Sequence, residues 1–413
     1  MADVYAQLLD CAGSFANEYP PSDFMTGAAE NDWQLLFDAA YAHKLVPVVF
    51  EAVSKLPSFK TAPSSLKASL RKTVISSVAS QAVRSEAFLR LVSRIADENI
   101  SAATLKGIVC RSLYANGDLR SSCDEDVFVS YDDFARCAEL FSDLGMKNTG
   151  AADDEPDVMA FLDPKSGLKV ELHSRLFSST APLLAPLNEY FEHALASAVE
   201  TVVAGTRIRT FAPTENLIFL TAHAFKHFLS SGLGIRTVCD IFKLASVYGN
   251  EIDWNCVKER LSSVRAYCFF ANLADIAVTH LGFDKSPPLC QCMNDVYVSS
   301  DALLSDILAA GVYGQSSLSR RHSTLVLRGA LEESNGGRLS PFKALFPPLV
   351  SMKRRYPRLQ KYPALLPYYW LKRIFRYLIE LIAHNGHADN SALESLNIAK
   401  SRAELMRKYE IID

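Results

Sequence analysis

The run Asp124-Glu125-Asp126-Val127-Phe128-Val129, preceded by Leu105-Lys106-Gly107, Tyr114 and Asp118-Leu119-Arg120, decides how this chain is read. Side chains alternate along a strand, so Asp124 and Asp126 project from one face and Glu125 from the other. Two carboxylates about one pleat apart repel each other unless a cation sits between them. The pair is therefore either an accident of a solvated strand start or a divalent-metal site. Mg²⁺ favours such oxygens together with substrate phosphates.

A second run, residues 168–173, carries the next part of the pattern. Lys169, Glu171 and His173 face one way, and Leu168, Val170 and Leu172 the other. A carboxylate and a histidine on one face would stand beside the aspartate pair, and three carboxylates on neighbouring strands can hold two metals for in-line attack at phosphorus. Residues 158–162 form a further strand, joined to 168–173 through Asp163, Pro164, Ser166 and Gly167, which predicts an antiparallel hairpin. Strands are also expected at 102–105 and 201–211, and a helix at 133–144.

Outside this block the periodicity is helical. Trp33, Leu36, Phe37, Ala40 and Tyr41 recur at three- and four-residue spacing, as do Phe88, Leu91, Val92, Ile95 and Ala96. After Pro213, Leu217, Leu220, Ala224 and Phe228 mark an apolar helix that Thr214 could cap. Helical patterns follow at 238–248, 254–261 and 267–281, and 316–343 reads as loop-rich. No repeat of fixed period is visible. The expected fold class is α+β, a small mixed β-sheet core flanked by N-terminal and C-terminal helical regions. The corresponding divisions are 1–80, 81–212 and 213–413.

Composition sets the outer bounds. The chain has 413 residues, 49% hydrophobic and 22% charged, with 18 Gly and 18 Pro, which excludes disordered and collagen-like classes. Forty-three Lys and Arg against 46 Asp and Glu leave a net charge of −3, so an anionic partner must bind a local patch. No stretch approaches the ~18 apolar residues of a spanning helix. The start of the chain carries Asp3 and Asp10 without early Lys or Arg, which argues against a signal peptide. Nine scattered cysteines fit reduced thiols and a cytoplasmic location, and the lone Cys290/Cys292 pair lacks the second pair a zinc site needs.

The order of strand, Lys-Gly turn, helix and Asp-x-Asp strand resembles the nucleotidyltransferase superfamily that includes DNA polymerase β. Leu-Lys-Gly, a Tyr, Leu-Arg and Asp-x-Asp, then an acidic residue and His on a later strand, look like the uncharacterised bacterial nucleotidyltransferase family within it. A His-x-x-x-His element matches at His223 and His227, and an Arg…Asp element at Arg236 and Asp240. Tyr356-Pro357, Leu365-Leu366-Pro367 and Trp370 look similar as well. The resemblance covers roughly residues 30–380. It implies a nucleotidyltransferase-type sheet with Asp124, Asp126 and Glu171 as catalytic metal ligands and Mg²⁺, or alternatively Mn²⁺, as cofactor. An NTP, with ATP expected, would supply the nucleotidyl group.

Three further sets of residues each allow two readings. Lys106, Gly107 and Arg120 could bind the nucleotide: Gly107 by letting backbone N–H groups approach phosphate, Lys106 by charge, Arg120 by bidentate contacts. They could equally be a surface lysine, a turn glycine and an arginine paired with Asp118. His223 and His227 lie one helical turn apart but lack the glutamate of the metalloprotease motif, since position 224 is Ala. With His173, Arg236 and Asp240 they are either packed structural groups or contacts to acceptor or nucleotide. Residues 353–376 hold Lys353, Arg354, Arg355, Arg358, Lys361, Lys372, Arg373 and Arg376 with interleaved aromatics and no acid. That segment fits an aromatic seam with snorkelling cations, a site for nucleic acid or another anion, or a membrane-surface helix.

The sequence thus predicts a metal-dependent nucleotidyltransferase that moves an NMP group from an NTP to an unidentified hydroxyl acceptor and releases pyrophosphate. The alternative is a non-catalytic nucleotide- or nucleic-acid-binding module on the same fold. Because Glu125 lies on the opposite strand face, Glu125→Gln is expected to leave turnover nearly intact and Glu171→Gln to slow it strongly, by the ~10²–10⁴-fold of a general base.

Overall fold

The computed structural model describes residues 3–150, 157–177, 182–230, 232–311, 349, 352–353, 356, 358–372 and 392–411. They fall into two compact units, residues 1–226 with 234–300, and residues 227–233 with 301–413.

The first unit begins with helices α1 (Val4–Asn17), α2 (Glu30–Ala42), α3 (Val46–Val53) and the long α4 (Ser64–Asp97). A mixed sheet follows, built from β1 (Ala102–Leu105), β2 (Glu125–Val129), β3 (Lys147–Gly150), β4 (Val158–Leu162) and β5 (Lys169–His173) in the spatial order β1-β2-β5-β4-β3. Helices α5 (Gly107–Arg111) and α6 (Tyr131–Asp143) connect its strands. Helix α7 (Leu187–Ala196) and a hairpin of β6 (Val199–Val203) and β7 (Thr206–Thr210) come next. The chain then returns to helix in α8 (Pro213–Ser230), α9 (Ile235–Tyr248), α10 (Trp254–Ser263), α11 (Tyr267–His280) and α12 (Pro287–Asn294). The fold is α+β, with helices flanking a five-stranded mixed sheet and a small two-stranded one.

The sheet's alternation sorts its residues as the pleat requires. Val127 and Val129 of β2 and Val170 and Leu172 of β5 enter one apolar core with Phe88, Leu91 and Val92 of α4 and Phe134 and Phe141 of α6. The other face of β2 carries Asp126 and Phe128, and that of β5 carries Glu171 and His173. β2 and β5 run parallel with Asp126 opposite Glu171 and Phe128 opposite His173, whereas β1–β2 and β4–β5 are antiparallel. The hairpin predicted around Asp163–Gly167 is present, and Asp163 caps its turn by accepting from the Lys165 and Ser166 N–H groups.

Several boundaries differ from the sequence reading. The single strand expected at 201–211 is a hairpin, split where Ala204 and Gly205 both take positive φ. β3 was not foreseen, because Lys147–Gly150 is exposed throughout and has no apolar alternation. Helix α6 starts before residue 133: Ser130 caps it, accepting from the Asp133 N–H at 3.1 Å. Thr214 is not the cap of α8. Pro213 opens that helix, and the Thr214 hydroxyl accepts from the Asp253 N–H at 2.9 Å.

In the second unit Arg402 is buried, donates to the Phe228 carbonyl and lies 3.7 Å from Asp306. Of the basic-aromatic segment, Met352, Leu359 and Tyr369 form a small buried cluster with Tyr356 packed on it, while Tyr362 and Tyr368 are exposed. Arg354, Arg355, Pro357 and residues 373–376 lie outside the described residues, as does 316–343. Among the described residues no helix is long and apolar enough to cross a membrane.

Candidate active site

Antiparallel pairing sets Leu105 opposite Asp126, so the chain leaves β1 beside the second aspartate. Lys106 is the next residue and turns sharply, with φ 48° and ψ −126°, a conformation L-residues rarely adopt. This turn aims the lysine inward. Its Nζ lies 3.0 Å from Asp126 Oδ2 and donates to His223 Nε2 at 3.2 Å. An ammonium has no lone pair, so the His223 Nε2 accepts and its proton resides on Nδ1.

The other oxygen of Asp126 faces β5. His173 Nε2 donates to Asp126 Oδ1 at 3.1 Å and lies 3.6 Å from Glu171 Oε2. Asp126, Glu171 and His173 each present one ligand atom, all within 4.8 Å of one another, a separation a single metal ion can bridge. The donors are two carboxylate oxygens and an imidazole, which suit Mn²⁺ as well as Mg²⁺. Among the described residues the buried His173 Nδ1 has no hydrogen-bond partner.

Charge organises the cluster. Burial disfavours the Lys106 ammonium, but Asp126, Asp124 and Glu171 outweigh it and hold the lysine well above its ordinary range. Burial likewise opposes ionisation of Asp126, and Lys106 and His173 overcome that and lower it. The His173 contact lowers Glu171, and the two carboxylates raise His173 against the effect of its own burial. Asp124, one residue before β2, is pushed up to about 6 by burial and by the charge of Asp126, with Lys106 and Arg236 opposing. Asp124 therefore couples to the cluster electrostatically without being one of its three closely spaced ligands.

Glu125 points to the opposite face, as alternation predicts, and it is far from idle there. It is 2% exposed, accepts from the Ile108 N–H at 2.7 Å and pairs with Arg111 at 2.6 Å. The first turn of α5 thus gives its Ile108 donor to a protein carboxylate, where the sequence reading left it open for phosphate. Ser122 joins the same group, donating to Glu125 and accepting from Arg111.

Arg120 pairs with Asp240 of α9 and not with Asp118. Its Nε and Nη2 reach the two carboxylate oxygens at 3.0 and 2.5 Å, and Tyr114 donates to Asp240 at 2.9 Å. The remaining Nη1 points to the Gly107 carbonyl at 3.4 Å. Arg120 and Asp240 therefore brace the glycine turn from behind. Arg236 donates to the Ser121 carbonyl, holding the loop that leads into Asp124. His227 lies one turn beyond His223 on α8 and falls in the second unit.

The structure brings together Lys106, Asp126, Glu171, His173 and His223, with Gly107 and Asp124 alongside. Sequence reasoning missed Arg111, whose only signal was a basic side chain one helical turn after Gly107.

A mixed sheet whose neighbouring strands aim carboxylates at one point, beside a lysine-glycine turn, is the arrangement expected of a nucleotidyl-transferring enzyme. The chain belongs to the family described as uncharacterised nucleotidyltransferase, whose sequence profile matches residues 29–282. That span contains every residue of the cluster. No curated protein matches the chain.

Proposed function

We propose that this protein transfers an NMP group from an NTP, with ATP the expected donor, to a hydroxyl acceptor and releases pyrophosphate. The observation that carries the reading is the convergence of Asp126, Glu171, His173 and Lys106 on one point in a chain of this family. Asp126, Glu171 and His173 would hold a divalent ion, and Asp124 would add charge at its edge. When bound, that ion supplies charge neutralisation at the phosphate oxygens and orients the acceptor oxygen.

The protein groups perform the remaining work. Lys106 contributes a fixed positive charge that stays protonated at neutral pH. Gly107 leaves room for the Glu125 carboxylate, which fills the space of the missing side chain and fixes the turn that carries Lys106. Glu171, partly exposed and at the open edge of the cluster, accepts the proton of the attacking hydroxyl. Arg120, Asp240 and Arg236 hold the loop and turn in place, and preorganisation of this kind supplies much of the rate in phosphoryl transfer.

The test is direct. Incubation with NTPs labelled at the α-phosphate, a divalent ion and a panel of hydroxyl acceptors should transfer label and release pyrophosphate, and Asp126→Asn should do neither. Equal labelling by the native and Asp126→Asn proteins would remove the catalytic reading and leave a nucleotide-binding module.

A further inference from the structure

We propose that this centre takes a single divalent ion and that the Lys106 ammonium serves as its second cation. The inference rests on the nucleotidyl-transfer reading and specifies how that site is charged. Asp126 divides its two oxygens between two neighbours. Oδ1 belongs to the side shared with His173 and Glu171, and Oδ2 belongs to Lys106 at 3.0 Å. The three ligand atoms that could hold an ion therefore lie on one side of Asp126, and an ammonium already fills the other.

Lys106 is held there firmly. Its side chain is 16% exposed, and His223 of α8 accepts a second hydrogen bond from the same nitrogen. Its backbone is confined to a strained turn, braced below by the Arg120 contact to the Gly107 carbonyl and by Glu125 on the Ile108 N–H. Moving the ammonium aside would expose Asp126 Oδ2 and break the hydrogen bond from Lys106 to His223 Nε2, with the turn still aimed inward.

Charge leads to the same count. By formal charge, one divalent ion and the ammonium match the three carboxylates of Asp124, Asp126 and Glu171. A second divalent ion would leave a surplus of two positive charges. If it bound Asp126 Oδ2 at the ~2.1 Å of a magnesium–oxygen bond, it would sit no more than about 5 Å from the ammonium. Like charges at that distance in a partly buried site repel strongly. A lysine also differs from a metal in kind: it is a point charge without coordination geometry, able to meet a phosphate without chelating it.

The experiment counts ions. Full-length protein without nucleotide is dialysed against Mn²⁺, and bound Mn²⁺ is quantified from the loss of the free-ion electron paramagnetic resonance signal. The native protein is expected to bind one Mn²⁺ per chain, Lys106→Arg one, and Lys106→Gln two, with folding of each variant checked by circular dichroism. Lys106→Arg keeps the count interpretable should the glutamine variant fail to fold, because it must match the native value. Two ions in the native protein would overturn the proposal while leaving nucleotidyl transfer intact, as would a single ion in folded Lys106→Gln. No bound ion in any of them would overturn the metal reading itself, and this inference with it.

Discussion

Gly107 and Glu125 meet so closely that a Cβ added at position 107 would lie 1.9 Å from Glu125 Oε2. The glycine is therefore required less by its own φ of 22° than by a carboxylate that enters the space where a side chain would start. Glu125 cannot swing away without giving up Arg111 and the Ile108 N–H. Gly107→Ala is expected to destabilise the protein by about 1–3 kcal/mol, the usual range for overpacking, and to lower nucleotidyl transfer by displacing Lys106. Glu125→Asp, which withdraws the carboxylate, should restore part of the stability of the alanine variant. Thermal melts of the two single variants and the double variant check this, and strictly additive losses would refute the steric explanation.

Glu125 and Glu171 should fail in different assays. Glu125→Gln leaves the Arg111 charge buried without its carboxylate, for which about 3–5 kcal/mol of destabilisation is typical, while the folded variant should keep nearly native turnover. Glu171→Gln keeps its volume on a partly exposed edge and should melt near the native temperature while losing ~10²–10⁴-fold in rate. Urea unfolding beside steady-state kinetics separates them. Loss of stability on Glu171→Gln with none on Glu125→Gln would contradict the assignment.

Asp124 gives a pH dependence of definite sign. Its carboxyl titrates at about 6 in the folded protein, above the value of an unfolded chain, because of burial and the neighbouring Asp126 charge. The folded state therefore holds this proton more tightly than the unfolded state, and stability falls as pH rises from about 4 through about 6. Asp124→Asn removes the titration. In metal-free buffer the variant should gain thermal stability over the native protein above about pH 7 and gain little near pH 4. Parallel melting curves with no pH-dependent gap would show that the carboxyl is not raised.

His173 should decide which ion is held most tightly. Imidazole is a better donor to Mn²⁺ than to Mg²⁺, which binds oxygens. Replacing His173 by Asn should weaken Mn²⁺ at least as much as the ~10–100-fold typical of losing an outer-shell partner, with a smaller effect on Mg²⁺. Titration calorimetry with each ion measures both, and an equal loss for the two would remove His173 from the ligand set.

Much of the site was legible because strand alternation is a strict rule. The sides of Asp126, Glu125, Glu171 and His173 follow from residue parity once β2 and β5 are recognised. What alternation could not supply was partners. Arg111 meets Glu125 only because α5 folds back over β2, and Arg120 bypasses Asp118, two positions away, for Asp240 at a separation of 120. The place of Lys106 depended on a backbone conformation that no local pattern of a lysine announces. β3 escaped notice because its residues bury nothing, so it left no apolar signal.

The parallel pairing of β2 with β5 has a consequence for how the site comes into being. Antiparallel neighbours can be joined by a tight turn, but parallel ones need a crossover, here the stretch from α6 through β4. Asp126 and His173 consequently stand 47 positions apart, and neither the chain up to α6 nor the chain from β4 onward holds the whole proposed ligand set. On the proposed metal reading, a nascent chain can bind the divalent ion only after that loop has closed. A polypeptide cut between α6 and β4 carries Asp126 on one fragment and Glu171 with His173 on the other, so Mn²⁺ binding becomes a readout of whether the two fragments have reassembled.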